Sequence, residues 1–190
     1  MLLATIGCKS SGGGLLGPVD ETNAAGEKVK LANDELTKIK ELYLQNEGDE
    51  ENAGKRQELL QALDSNDKEQ VRKVTGEIIS LIDEGTEHGR NAIDLIQQAR
   101  DMQINADYQE YLRLKEDSLK KQLEAFAKYR LAAISLRDNF DPQNTSNKDK
   151  VTAIFEEQSK SYREIMEKAR DNSSQANELY REVQLKHQSK

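Results

Sequence analysis

Two prolines, one cysteine and no tryptophan in 190 residues already exclude a good deal. A single thiol permits no internal disulfide and no multi-thiolate metal site. No stretch comes near the ~20 consecutive apolar residues that a membrane-spanning helix needs. Aromatics are 5% and hydrophobic residues 35% of the chain, too little apolar surface for a conventional globule. The net charge is −7, with 28 basic and 35 acidic residues interspersed. No concentrated positive field exists to neutralise phosphates, so nucleic acid is not an expected partner. An electrostatic grip on anionic lipid is disfavoured for the same reason.

Catalytic and cofactor motifs are equally scarce. The histidines are His88 and His187, and neither follows a glutamate at the Glu-x-x-His spacing of di-iron bundles. There is no His-Glu-x-x-His zinc motif and no Gly-x-Ser-x-Gly nucleophile elbow. A haem held by His88 with Met102 or Met166 has only residue types in its favour, so no cofactor and no metal is expected. The acidic run Glu47 to Glu51 lacks the alternating ligands and positioned glycine of an EF-hand and reads as a solvated loop. The chain is not expected to be an enzyme.

What the chain does have is helix. Ala, Leu, Glu, Lys, Gln and Arg dominate, and Pro18 and Pro142 are the only forced interruptions. Val29, Ala32, Leu36, Ile39 and Tyr43 recur at 3-and-4 spacing, which puts them on one helix face. Residues 46–52 break that stripe, and Leu59, Leu60 and Leu63 resume it. Residues 20–64 are therefore one interrupted helix or two shorter ones. After a turn at 64–67, with Asn66 and Glu69 as a capping box, a second stripe runs from Val71 through Ile78, Gly85, His88 and Ile96 to Met102. Residues 103–107 are a candidate reversal, with Asp107 and Glu110 as cap, although a continuous helix is the alternative. A third stripe carries Tyr108, Leu119, Leu123 and Phe126 to Phe140. Its outer face is predicted to hold the pairs Glu116–Lys120 and Glu124–Lys128. Asp141-Pro142 starts the clearest loop, and a last segment runs from Val151 almost to Lys190.

Four segments of similar length, roughly 50–60 Å each at ~1.5 Å per residue, predict an all-α fold. Short connections make them neighbours, so the expected architecture is an elongated antiparallel bundle of about four long helices. The bundle domain covers residues 21–190.

The N-terminus carries the most specific signal. An apolar start, Met1-Leu2-Leu3-Ala4, leads into Thr5-Ile6-Gly7-Cys8 and then a Gly/Ser-rich stretch. This string resembles the lipobox of bacterial lipoproteins, with Ile6 and Gly7 in place and Thr5 where Leu, Val or Ile is usual. Residues 1–7 carry no Lys or Arg and are shorter than a ~15–30-residue secretory signal, so they read as a signal-peptide remnant. Residues 8–20 read as a flexible tether. The resemblance implies a lipid on Cys8, a membrane as partner and a place in the bacterial cell envelope. Lys9, which is not acidic, favours the outer membrane over inner-membrane retention if the cell is Gram-negative.

Gly85, His88 and Gly89 are the one cluster within the body that invites a site reading. Two glycines four apart on the inner stripe form either a packing notch or the mouth of a pocket. The tyrosines Tyr108, Tyr111, Tyr129, Tyr162 and Tyr180 line a ligand groove on one reading and fill the core on the other, and the second is favoured. The leading functional expectation is a membrane-anchored, non-enzymatic lipoprotein acting as a binding or spacer module, with an unidentified protein partner. The alternatives are a soluble bundle that binds a small apolar ligand or cofactor between its helices, and a coiled-coil-like homo-oligomer with Gln158 and Asn172 as polar seam positions.

Overall fold

The computed structural model describes residues 21–188, with only some side chains described beyond Asp171. Cys8, the leader 1–7 and the tether to residue 20 lie outside the described residues. The described chain is all-α: α1 (Thr22–Glu47), α2 (Lys55–Asp64), α3 (Lys68–Arg100), α4 (Ala106–Asn139) and α5 (Thr145–Gln188). No helix among the described residues is long and apolar enough to cross a membrane.

The five helices form four antiparallel arms. At one pole, the start of α1 meets the α3–α4 turn: Glu21 N donates to Gln103 O at 2.9 Å, and Gln103 N donates to Glu21 Oε2 at 2.8 Å. At the other pole, the α2–α3 turn meets the α4–α5 turn: Lys148 Nζ donates to Asn66 Oδ1 at 3.1 Å, and Lys68 pairs with Asp141 at 3.6 Å. The helices α1 and α2, with 26 and 10 residues, together span about what α3 spans with 33. The first arm is thus one interrupted helix.

That interruption has a local cause. Gly48 has φ of 89°, a left-handed conformation that strains any L side chain. Asp49 Oδ1 accepts from Glu51 N at 2.9 Å and Asn52 N at 2.8 Å, folding the acidic run into a tight turn. A bridge between Gly48 and Ala53 brings the chain back on itself. Gly54 then lies so close that a Cβ there would stand 2.2 Å from Gly48 N.

Two helix starts differ from the sequence expectation. Asp67, not Asn66, caps α3, accepting from Gln70 N at 3.0 Å. Asn66 instead takes the turn's left-handed position, with φ of 55°, which asparagine tolerates. The chain does reverse before α4, but Asn105 is the cap, accepting from Tyr108 N at 2.8 Å. Asp107 lies inside the first turn, and Glu110 pairs with Arg113.

The core has two parts. One surrounds Tyr129 and draws on all five helices, with Phe126, Phe155 and Tyr162 against it. The other lies toward the Glu21 pole and unites α1, α3 and α4 through residues such as Val29, Ile96 and Leu112. Among the described residues, α5 contributes nothing to the second part.

The glycines provide a test of the interrupted arm. Gly54→Ala is expected to destabilise the fold by about 2–3 kcal/mol, since backbone must move to admit the methyl. Gly76→Ala, in α3 with nothing within 4 Å of a new Cβ, is expected to stabilise by ~0.5–1 kcal/mol. Urea denaturation of the two variants checks both signs.

Candidate functional site

Gly85 and Gly89 lie where α3, α4 and α1 converge. A Cβ on Gly85 would stand 3.1 Å from Phe126 Cε2, and one on Gly89 would stand 2.6 Å from Leu123 Cδ2. The missing side chains let two residues of α4 press against the α3 backbone. Beneath Gly85 about 10 Å³ remains, the scale of a single water site.

His88, one turn along, is 18% exposed and points at α1. Its Nδ1 lies 2.6 Å from Glu35 Oε2, while Glu84 is 3.9 Å from Nε2. Hydrogen bonds from Lys38 and then His88 hold the Glu35 carboxyl down at about 2. His88 is thus one half of a clamp between α1 and α3. Among the described residues no cluster of three His, Cys, Asp or Glu side chains converges as a metal site would require.

The tyrosines divide between the two core regions. Tyr129 and Tyr162 stack at 4.7 Å between centroids, and Tyr108 and Tyr111 stack at 5.5 Å. All four are buried. Burial pushes the Tyr129 phenol up to about 12. The side chains of Tyr180, His187 and Asn172 lie outside the described residues, and Gln158 is half-buried on α5.

A larger concavity lies elsewhere, in a position the sequence did not flag. A groove of about 280 Å³ runs between α1, α4 and α5. Leu36, Ile39 and Tyr43 form one wall, and Met166 and Ala169 form the other. Its floor is α4, with Leu119 flanked by Lys115, Ser118 and Gln122. Lys115 is only 5% exposed and Ser118 8%. The ammonium of Lys115 donates to Asn33 Oδ1 at 2.6 Å and sits 5.3 Å from the Tyr111 ring centroid. No carboxylate among the described residues pairs with it. Burial alone brings its pKa down to about 8. Ser118 Oγ is buried with no hydrogen-bond partner among the described residues. Compared with known proteins, the chain matches no family model, no curated protein and no solved structure. The groove therefore has to be interpreted from its own chemistry.

Glu116 faces the other way, toward α3. The expected pair with Lys120 forms at 2.7 Å, but not on an outer face: the Glu116 side chain is only 4% exposed. It also accepts from Gln97 at 2.8 Å and from Arg100. Burial pushes the Glu116 pKa up, but the hydrogen bonds from Lys120, Gln97 and Arg100 outweigh it and bring the carboxyl to about 2. The Glu124–Lys128 pair, also 2.7 Å, is exposed as expected.

Two outcomes follow from these charges. Glu35 and Glu116 have folded-state pKa values below an unfolded value of ~4.3. Their stabilisation is complete above that value and is lost as pH falls toward 2. Glu116→Gln is expected to lower stability at pH 7 by about 1–3 kcal/mol and to flatten the decline between pH 5 and 2. Denaturant titrations across that range check it. Lys115→Met is expected to do the opposite at neutral pH, stabilising by about 1–2 kcal/mol, because a desolvated charge without a counter-ion is replaced by an apolar chain of similar length. Its thermal midpoint, compared with that of the native chain, is the measurement.

Proposed function

We propose that this protein is a lipid-anchored, non-enzymatic helical binding or spacer protein of the bacterial envelope. The observation that carries the reading is Cys8, the only thiol of the chain, in a lipobox-like string followed by Gly and Ser. If Gram-negative, the host would hold it on the outer membrane or its periplasmic face, since Lys9 is not an inner-membrane retention residue.

The geometry of the bundle supports this reading. Its first described residue, Glu21, lies at one pole, against the α3–α4 turn. A tether entering there attaches to an end of the rod and leaves the long faces clear. With 33 residues in α3, the opposite pole stands ~50 Å away at ~1.5 Å per residue. Residues 9–20 separate Cys8 from that pole and span at most ~40 Å when fully extended. One acyl chain would hold the protein only marginally, so durable attachment takes more than one. Lipoproteins as a class carry several, which the resemblance implies for Cys8.

Intact-mass analysis of the protein isolated from its native host tests the reading. The expected result is acyl mass on Cys8 and recovery with membranes, with Cys8→Ser unmodified and recovered in the soluble fraction. An unmodified Cys8 in the native protein would refute it.

A further inference from the structure

We propose that the groove between α1, α4 and α5 binds a single-chain amphiphile with a carboxylate head, the tail along Leu36, Ile39 and Met166 and the head at Lys115 and Ser118. The proposal goes beyond lipid anchoring and does not depend on Cys8.

Three features of the groove select this class of ligand. The first is the buried ammonium. Lys115 is almost wholly enclosed, yet among the described residues its hydrogen-bond acceptor is the neutral amide of Asn33. A buried charge ordinarily has a counter-ion, and an arriving anion would supply it. The second is Ser118. Its side chain lines the same groove, and its buried hydroxyl has no partner among the described residues, a condition rare in folded proteins. The third is the rest of the lining. Leucine, isoleucine, tyrosine, alanine and methionine supply the walls, and methionine adapts its shape to a flexible chain.

The polar floor also limits the head group. It offers one ammonium, one hydroxyl and one amide, from Lys115, Ser118 and Gln122. That matches a monoanion with two oxygens. A phosphate dianion would bring more charge than the single buried cation neutralises. At the rim, Lys40 and Arg170 outnumber Glu167, so the entrance also favours an anion. The volume of about 280 Å³ limits the tail.

Decanoate and 1-decanol are the probes, titrated into the full chain by calorimetry at pH 7 below their aggregation limits. Decanoate is expected to bind one per chain, at least tenfold tighter than decanol. Lys115→Met is expected to remove that preference while retaining decanol binding. Ser118→Ala, a smaller change, is expected to weaken decanoate several-fold. Methyl-labelled methionine localises the site: the Met166 signal is expected to shift with decanoate and Met102, in the other core region, to stay. Cys8→Ser is expected to bind as the native chain does, which separates this proposal from the anchoring one. Equal affinity for acid and alcohol, or unchanged decanoate binding in Lys115→Met, would overturn it. So would a Met166 shift with phosphatidylglycerol vesicles but none with decanoate, which would indicate a lipid phosphate.

Discussion

The arrangement of this bundle turns on one shortage: α4 must be covered by three other helices, and the chain has too few apolar residues to line every contact. Packed between α3 and α5, with α1 alongside, α4 contributes to both core regions. A surface helix keeps its polar residues on the solvated face. Here Lys115, Glu116, Ser118 and Gln122 are all buried within two turns of each other. Each needs a local solution. Glu116 finds three donors from α3 and its own helix. Among the described residues, Lys115 and Ser118 do not find an equivalent set. The contrast between neighbouring residues, one satisfied toward α3 and two under-satisfied toward α5, marks the groove as the place where packing alone does not close the structure.

The same shortage acts on the break in the first arm. Asn46 and Glu47 end α1 beside the stacked rings of Tyr129 and Tyr162, so a polar helix terminus meets the densest aromatic part of the core. Burial pushes the Glu47 carboxyl up, opposed by Arg163 at 3.7 Å and Arg56 at 3.9 Å. These three charges join α1, α2 and α5 at one point. Asn46 Nδ2 reaches the Tyr129 hydroxyl at 3.5 Å, and its Oδ1 has no partner among the described residues. The left-handed turn at Gly48 lets the chain leave this crowded point and restart as α2 at Lys55. Removing the turn would drive Asp49 to Asn52 along the helix into the space that α2 now fills.

Helical periodicity was enough to read the architecture. The stripe from Val71 to Ile96 is buried nearly throughout, and the pattern break at residues 46–52 is a real interruption. Caps were legible only to within a residue or two, because Asn66-Asp67 and Asn105 with Asp107 offer adjacent side chains of the same capability. Local spacing cannot choose between them. Gly85 and Gly89 were visible as small residues on an inner face, but what enters the notch was not. Phe126 and Leu123 are distant in sequence, as is Glu35, the partner of His88. The groove was missed for a related reason. Lys115, Ser118 and Gln122 share a helix face, yet polar residues at that spacing read as solvated until α5 is known to lie across them.

The placement of the groove along the rod bears on how the two proposals fit together. Lys115 and Gln122 are nine and sixteen residues into α4, which starts at the Glu21 pole. At ~1.5 Å per residue they stand roughly 14–24 Å from that pole. An anchor on Cys8 would therefore hold the amphiphile groove in the half of the rod nearer the membrane. That proximity would raise the local supply of acyl-chain ligands without adding a contact to the bundle. It would do so through position alone, since a net charge of −7 gives the body no general attraction to anionic lipid. Selectivity would then reside in the few buried donors of α4, and location in the thiol at the other end of the tether. Two features that are separate in sequence would act on the same class of molecule, one fixing where the protein meets it and the other fixing which head group it accepts.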